Sequence, residues 1–215
     1  MSSDRLPVSI AVLVSGRGSN FRSLAEDLSA PNAPGRITLV LSDNPNAPAL
    51  EEGRRRGIQT EWIDCGPRRA RISESAQDQI LALFEEHSVG LVVCAGFMRI
   101  LPRRLVSAMA NRILNIHPSL LPAFPGLDAQ GQACRHGVRF SGCTVHFVDE
   151  GTDTGPIILQ SAVPVTDDDD GESLAARILV EEHRIYPRAV RLFCEGRLSV
   201  DGRRVRVLRP EEAKP

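Results

Sequence analysis

The run Val8–Val14, VSIAVLV, constrains the fold more than any other part of the chain. It is short, rich in β-branched residues and apolar but for Ser9 near its start, as expected of a strand buried on both faces. Such strands belong to parallel sheets with helices on each side, because a sheet with one wet face would alternate apolar and polar residues. A polar turn, Ser15-Gly16-Arg17-Gly18-Ser19-Asn20, then leads into a helical segment over residues 21–28. Ile37–Leu41 reads as a second strand, closed by Asn44, Pro45 and Pro48. Ala49–Arg56 fits a helix stopped at Gly57, and Ile58–Ile63 a third strand. A longer helix fits Ala70–His87, and Gly90–Ala95 is another buried strand. This alternation predicts an α/β fold: a doubly wound, mostly parallel but mixed sheet with helices on both faces.

The second half is less regular. After Pro102 a short helix precedes a strand at Arg112–His117, and the proline-rich stretch Pro118–Gly126 must be an ordered loop. Phe140–Val148 and Pro156–Val165 read as strands around the turn Glu150–Gly155. Glu172–Glu195 fits a long helix that Pro187 should kink or divide. Leu198–Leu208, with Asp201-Gly202 at its centre, fits a hairpin. With no internal repeat or linker, residues 1–215 are expected to form one domain with two lobes, about 6–100 and 101–215. The ends, up to Arg5 and from Pro210, are expected to fray.

Composition narrows the function classes. With 26 Lys+Arg against 27 Asp+Glu, no global field draws the chain to nucleic acid or to an anionic membrane. Met1–Pro7 is short and polar, unlike a signal peptide, and no apolar run approaches the ~20 residues of a membrane helix. The five cysteines (Cys65, Cys94, Cys134, Cys143 and Cys194) are odd in number and form no CxxC pair. Free thiols, a reducing compartment and a cytoplasmic location are therefore expected. The arginine clusters at Arg54–Arg56, Arg68–Arg71 and Arg203–Arg206 lack interleaved aromatics and read as solvated faces.

Asn115-Ile116-His117 is the most informative triplet. In a strand, residues i and i+2 share a face, so the Asn115 amide and the His117 ring project side by side with Ile116 opposite. They stand at the carboxyl end of the strand, where open α/β sheets place their ligands. An amide donor beside a titratable ring suits acyl transfer, in which a carbonyl oxygen gains charge. On spacing alone, a hydrogen-bonded strand end is the commoner meaning of such a pair. Asp149, Glu150 and Asp153 lie in the turn at 149–155, and a carboxylate near an imidazole favours the charged ring. Ordinary turn chemistry explains them equally, and sequence does not place Asp153 beside His117. The Ser15–Asn20 loop opens a helix whose N-terminal amides make a ready anion site; it is neither a Walker A loop nor GxGxxG, and a plain tight turn fits as well. Asp167–Asp170 reads as an N-cap, without the spacing of a calcium loop, so no metal is expected. His146, on a strand, is either a partner of the site or structural.

Taken together, VLVSGRGSN at 12–20, CAGFMRIL at 94–101, ILNIHPSLLPAFPG at 113–126, TVHFVDEGTDTGPIILQ at 144–160 and EEHRIYP at 181–187 resemble the phosphoribosylglycinamide formyltransferases. These are the folate-dependent formyltransferases of de novo purine synthesis, and the resemblance runs from Val8 to about Leu198. It implies a Rossmann-like formyltransferase fold with a phosphate-binding first lobe and a catalytic, folate-binding second lobe. It implies that Asn115, His117 and Asp153 are catalytic, and that Gly18, Ser19 and Asn20 hold the substrate phosphate with Glu182 on the ribose. It implies that Met98, Arg99, Ile100 and Leu101, with Asn115, contact the folate. The cosubstrate would be 10-formyltetrahydrofolate and the partners small molecules, with no nucleic acid and no membrane, acting as a monomer or homodimer. Two positions depart from the family pattern: Ser73, with Arg71 close by, stands where relatives often carry a folate-contacting arginine, and Leu179 stands where a polar residue is common.

Three other readings remain. Methionyl-tRNA formyltransferases share Asn-x-His and Leu-Leu-Pro but carry a carboxyl-terminal domain for which 215 residues leave no room. Formyltetrahydrofolate hydrolases carry an amino-terminal regulatory domain, and both groups lack the Gly-Ser-Asn loop. A silent module sensing a phosphorylated metabolite or RNA would account for the arginines, but it has no need of a donor and an acid on one strand face.

Overall fold

The strand at Val8–Val14 (β1) divides its side chains between two cores. Ile10, Val12 and Val14 enter one, Ala11 and Leu13 the other, which explains why the run is apolar from Ile10 onward. The computed structural model describes residues 6–68 and 70–213. After β1 come α1 (Ser19–Asp27), β2 (Gly35–Ser42), α2 (Pro48–Arg55) and β3 (Gln59–Trp62). Next are α3 (Glu74–Glu86), β4 (Leu91–Cys94), α4 (Arg103–Ala108), β5 (Ile113–His117) and α5 (Ala129–Arg135). The chain ends in β6 (Phe140–Phe147), β7 (Ile157–Pro164), α6 (Gly171–Cys194), β8 (Leu198–Asp201) and β9 (Arg204–Val207).

The strands of the described residues form one sheet in the order β3-β2-β1-β4-β5-β6-β7-β9-β8. β1 to β5 pair in parallel, β6 and β7 each run antiparallel to the strand before, and β8 and β9 close the edge as a hairpin. Helices α1, α2, α5 and α6 cover one face, α3 and α4 the other. The doubly wound, mixed architecture is thus as expected. The chain winds outward from β1 to β3 and then returns to β4 on the other side of β1. That reversal opens a crevice at the carboxyl ends of β1 and β4, where such sheets bind ligands.

Four local expectations need correction. The third helix starts at Glu74 rather than Ala70, because the Ser73 hydroxyl accepts the Ala76 amide at 3.3 Å and caps it there. α5 falls where the residue pattern predicts no element, since Ala-Gln-Gly-Gln-Ala-Cys-Arg has no clear apolar period; a Cβ at Gly131 would stand 2.4 Å from the Asp128 carboxylate, which would have to swing aside. α6 runs unbroken through Pro187. Proline frees the carbonyl four residues back, that of His183, and the Ser23 hydroxyl of α1 donates to it at 3.0 Å. Past Pro210 the chain forms a 3-10 turn, Pro210–Glu212, closed by Glu212 on the Arg209 amide at 2.9 Å.

The fraying expected up to Arg5 falls on residues 1–5, outside the described residues, as does Arg69 of the second arginine cluster. Asp170 caps α6 in a reciprocal box with Ser173, as its place before the helix suggested. The five cysteines are free thiols. Among the described residues, no helix is long and apolar enough to cross a membrane.

Candidate active site

β5 carries Asn115 and His117 on one face, while Ile116 packs into the core under α6. The antiparallel pairing of β5 with β6 sets His146 directly opposite Asn115. The turn after β6 then folds back over both. Asp149 organises it, accepting the Gly151 amide at 3.0 Å and the Thr154 hydroxyl at 2.6 Å. From the edge hairpin, Arg203 braces it by donating to the Thr154 carbonyl at 3.0 Å. Within this turn Asp153 adopts a left-handed backbone, φ 55°, a conformation that Asp tolerates better than most residues.

That backbone aims the Asp153 carboxylate at β5. Its Oδ2 accepts the Gly126 amide at 2.8 Å and lies 3.3 Å from His117 Nδ1. Its Oδ1 stands 3.5 Å from Asn115 Nδ2 and 3.7 Å from His146 Nε2. On the far side of the ring, His117 Nε2 is 2.8 Å from the Phe124 carbonyl. The Phe124 carbonyl can only accept, so it suits a hydrogen on Nε2, while the Asp153 carboxylate lies within ion-pair distance of Nδ1.

His146 is the opposite case. Its Nδ1 faces the Phe147 carbonyl at 2.8 Å, which leaves Nε2 bare to accept from the Asn115 amide at 3.2 Å. Burial holds its pKa below the ordinary imidazole value, so it is a neutral acceptor. It thereby fixes which end of the Asn115 amide points into the site. The second Asn115 N–H makes only the long contact to Asp153 at 3.5 Å. The sequence assigned His146 no definite place; the strand register, not the residue pattern, reveals it.

The other candidates surround the same space. α1 begins after Gly18, at φ 73°, where a Cβ would collide with Ala49 Cβ at 2.6 Å. No side chain caps this helix, so its first amides keep no side-chain acceptor. Asn20 donates to Glu182 Oε2 at 2.7 Å, and its own Oδ1 is buried with no hydrogen-bond partner. Glu182, on α6, is buried; desolvation raises its pKa and the Asn20 hydrogen bond pulls the other way. Tyr186, one turn further on, anchors α6 by donating to the carbonyls of Cys94 and Leu114 at 2.8 and 3.1 Å.

The loop after β4 supplies Met98 and Ile100, which stay 60% and 58% exposed, with Leu127 82% exposed nearby along the same cleft. Exposed apolar side chains gathered at one cleft mark a ligand surface. The Arg99 guanidinium, between Met98 and Ile100 in sequence, is tied to Asp43 at 2.6 Å. A cleft of about 550 Å³ is lined by Asn20, Met98 to Leu101, Asn115, His117, His146, Asp153 and Glu182. Gly18 and Ser19 do not line it but lead directly into Asn20. Ser73 caps α3, and it and Arg71 both line a neighbouring cavity of about 680 Å³ rather than this cleft; Leu179 is half-buried on α6.

An amide donor beside a carboxylate-braced imidazole, in a cleft with an apolar mouth, defines the class: an α/β protein equipped for chemistry at a carbonyl carbon. The chain belongs to the formyl transferase family, whose model matches residues 8–190. It is 40% identical over 181 residues to the phosphoribosylglycinamide formyltransferase of Bacillus subtilis (strain 168), covering 84% of this chain and 92% of that one. It is 42% identical over 192 residues to the trifunctional purine biosynthetic protein adenosine-3 of Homo sapiens, covering 89% of this chain but only 19% of that protein. The crystal structure of glycinamide ribonucleotide transformylase 1 from Symbiobacterium toebii is similar at a TM-score of 0.88 and 49% identity, covering 97% of this chain and 100% of that one.

Proposed function

We propose that the chain is a phosphoribosylglycinamide formyltransferase, moving the formyl group of 10-formyltetrahydrofolate to the amine of N1-(5-phospho-D-ribosyl)glycinamide. The observation that carries this reading is the single cleft in which Asn115, His117 and Asp153 meet Asn20, Glu182 and the Met98–Leu101 loop. One cleft can hold an anionic nucleotide at one end and a flat folate at the other, with the donors between.

The substrate's neutral amine attacks the formyl carbon, a C–N bond forms, and the carbonyl oxygen becomes an oxyanion. The second N–H of Asn115, leaving its long contact to Asp153, and the Nε2–H of His117 stabilise that charge, the latter exchanging the Phe124 carbonyl for the new oxygen. Asp153 holds the ring and balances its charge. The proton lost by the amine passes to the folate N10, the C–N10 bond breaks, and tetrahydrofolate and the formylglycinamide ribonucleotide leave. The uncapped start of α1 at Gly18, Ser19 and Asn20 suits a phosphate, for both amide and dipole reasons. Glu182 suits a ribose hydroxyl, which can donate to its carboxylate. Met98 and Ile100 offer apolar contact to the folate ring system, and Arg99 and Leu101 offer backbone.

The test supplies the purified chain with 10-formyltetrahydrofolate and follows the folate absorbance with three acceptors: glycinamide ribonucleotide, methionyl-tRNA and water alone. Rapid transfer with the ribonucleotide only is expected. Preferred formylation of methionyl-tRNA, or equal loss of formyl to water without an acceptor, would contradict it.

A further inference from the structure

Ser15 and Asp43 have no place in the chemistry above, yet they join its two binding segments. The Ser15 hydroxyl donates to Asp43 Oδ1 at 2.5 Å and accepts the Met98 amide at 2.8 Å. The other oxygen of Asp43 accepts Arg99 Nε at 2.6 Å. Arg99 continues outward, donating through Nη1 to the carbonyls of Arg68 and Arg71 at 2.6 and 3.3 Å. Beside it the Ile100 amide donates to the Ala70 carbonyl at 3.0 Å. One carboxylate thus touches the loop that runs into Gly18 and the loop that carries Met98.

We propose that Asp43, acting through Ser15 and Arg99, is a positioning residue that couples the two segments, so that each substrate binds more tightly when the other is present. This rests on the roles assigned above to Gly18–Asn20 and Met98–Leu101. The physical reason is burial. The side chains of Asp43 and Arg99 are only 9% and 14% exposed, and a buried ion pair holds only while its geometry holds. A shift of either loop pulls a hydrogen bond from the shared carboxylate, so the two loops share one arrangement. A ligand that fixes one loop in that arrangement removes the ordering cost that the second ligand would otherwise meet. Such coupling is reciprocal by thermodynamic necessity.

Titration calorimetry on the whole chain tests this with glycinamide ribonucleotide and tetrahydrofolate, a pair that binds without turnover because the formyl group is missing. For the wild-type chain, saturating ribonucleotide is expected to tighten the folate Kd on the order of 5-fold or more. Ser15→Ala, which keeps the Asp43–Arg99 pair and so the fold, should bring that ratio toward one, and Ser15→Thr should restore it. Asp43→Asn should act as Ser15→Ala does; if it does not fold, the two Ser15 variants decide alone. Wild-type turnover with independent binding of the two ligands would overturn this inference and leave the proposed function standing. An unchanged ratio in Ser15→Ala would overturn it equally. A wild-type chain that neither binds the pair nor transfers formyl would overturn the proposed function first, and this inference with it.

Discussion

Asp153 faces His117 Nδ1 at 3.3 Å from a backbone in the left-handed region, with the Gly126 amide holding the same carboxylate oxygen at 2.8 Å. The pair therefore depends on three separate segments: the end of β5, the 118–128 loop and the 149–155 turn. Because asparagine tolerates the left-handed region, Asp153→Asn should keep the backbone and remove only the charge. Turnover should fall on the order of 100-fold or more, with the melting temperature little changed. Loss of the fold instead would assign Asp153 a structural role.

Asn115 donates to His146 at 3.2 Å and reaches Asp153 at 3.5 Å; in the proposed mechanism the second N–H turns to the substrate oxygen. Asn115→Ala should lower turnover by roughly 100- to 1,000-fold, the usual loss for one oxyanion donor. His146→Phe, which leaves the Asn115 amide without its acceptor, should lower it less. Steady-state rates of the two variants check the order, and a larger loss in His146→Phe would contradict it.

Much of the architecture was legible in the residue pattern, for physical reasons. β1 from Ile10 onward and β4 are buried on both faces, so those stretches are continuously apolar and their type is unmistakable. Asn115 and His117 share a face because strands have a period of two. Asp153 was a different matter: its approach to His117 is set by a turn and by the β5–β6 register, which no local pattern encodes. The same holds for His146, and for Ser23, whose partner lies 160 positions away on α6. The family resemblance, not the spacing, pointed to Asp153.

Ser23 and Pro187 give a stability prediction. Ser23→Ala leaves the His183 carbonyl without either its helical donor or the hydroxyl. At this part-buried site the loss should lie toward the low end of the about 1–3 kcal/mol that an unsatisfied polar group costs, with a correspondingly small fall in the urea midpoint. No shift would mean that water replaces the hydroxyl at no cost.

Burial gives Glu182 and His146 opposite pH signatures. The Glu182 pKa is raised above 4.5, so the folded state favours its protonated form, and this contribution is lost as pH rises from about 4.5 through the raised value. Glu182→Gln should therefore stabilise the free protein at pH 7 while weakening ribonucleotide binding. The His146 pKa is lowered below 6.5, so its contribution is present above about 6.5 and lost as pH falls through the lowered value. Thermal melts of wild type, Glu182→Gln and His146→Phe between pH 5 and 8 check both signs; a wild-type melting temperature that His146→Phe fails to flatten on the acid side would contradict the second.

The central claim is that His117, held by Asp153, stabilises the oxyanion in formyl transfer to the glycinamide ribonucleotide. It is tested most directly by the single-turnover rate of His117→Ala, with 10-formyltetrahydrofolate and the ribonucleotide both saturating. The account predicts a loss on the order of 100- to 1,000-fold or greater, with ribonucleotide affinity within a few fold of wild type. A transfer rate like that of the wild-type chain would contradict it.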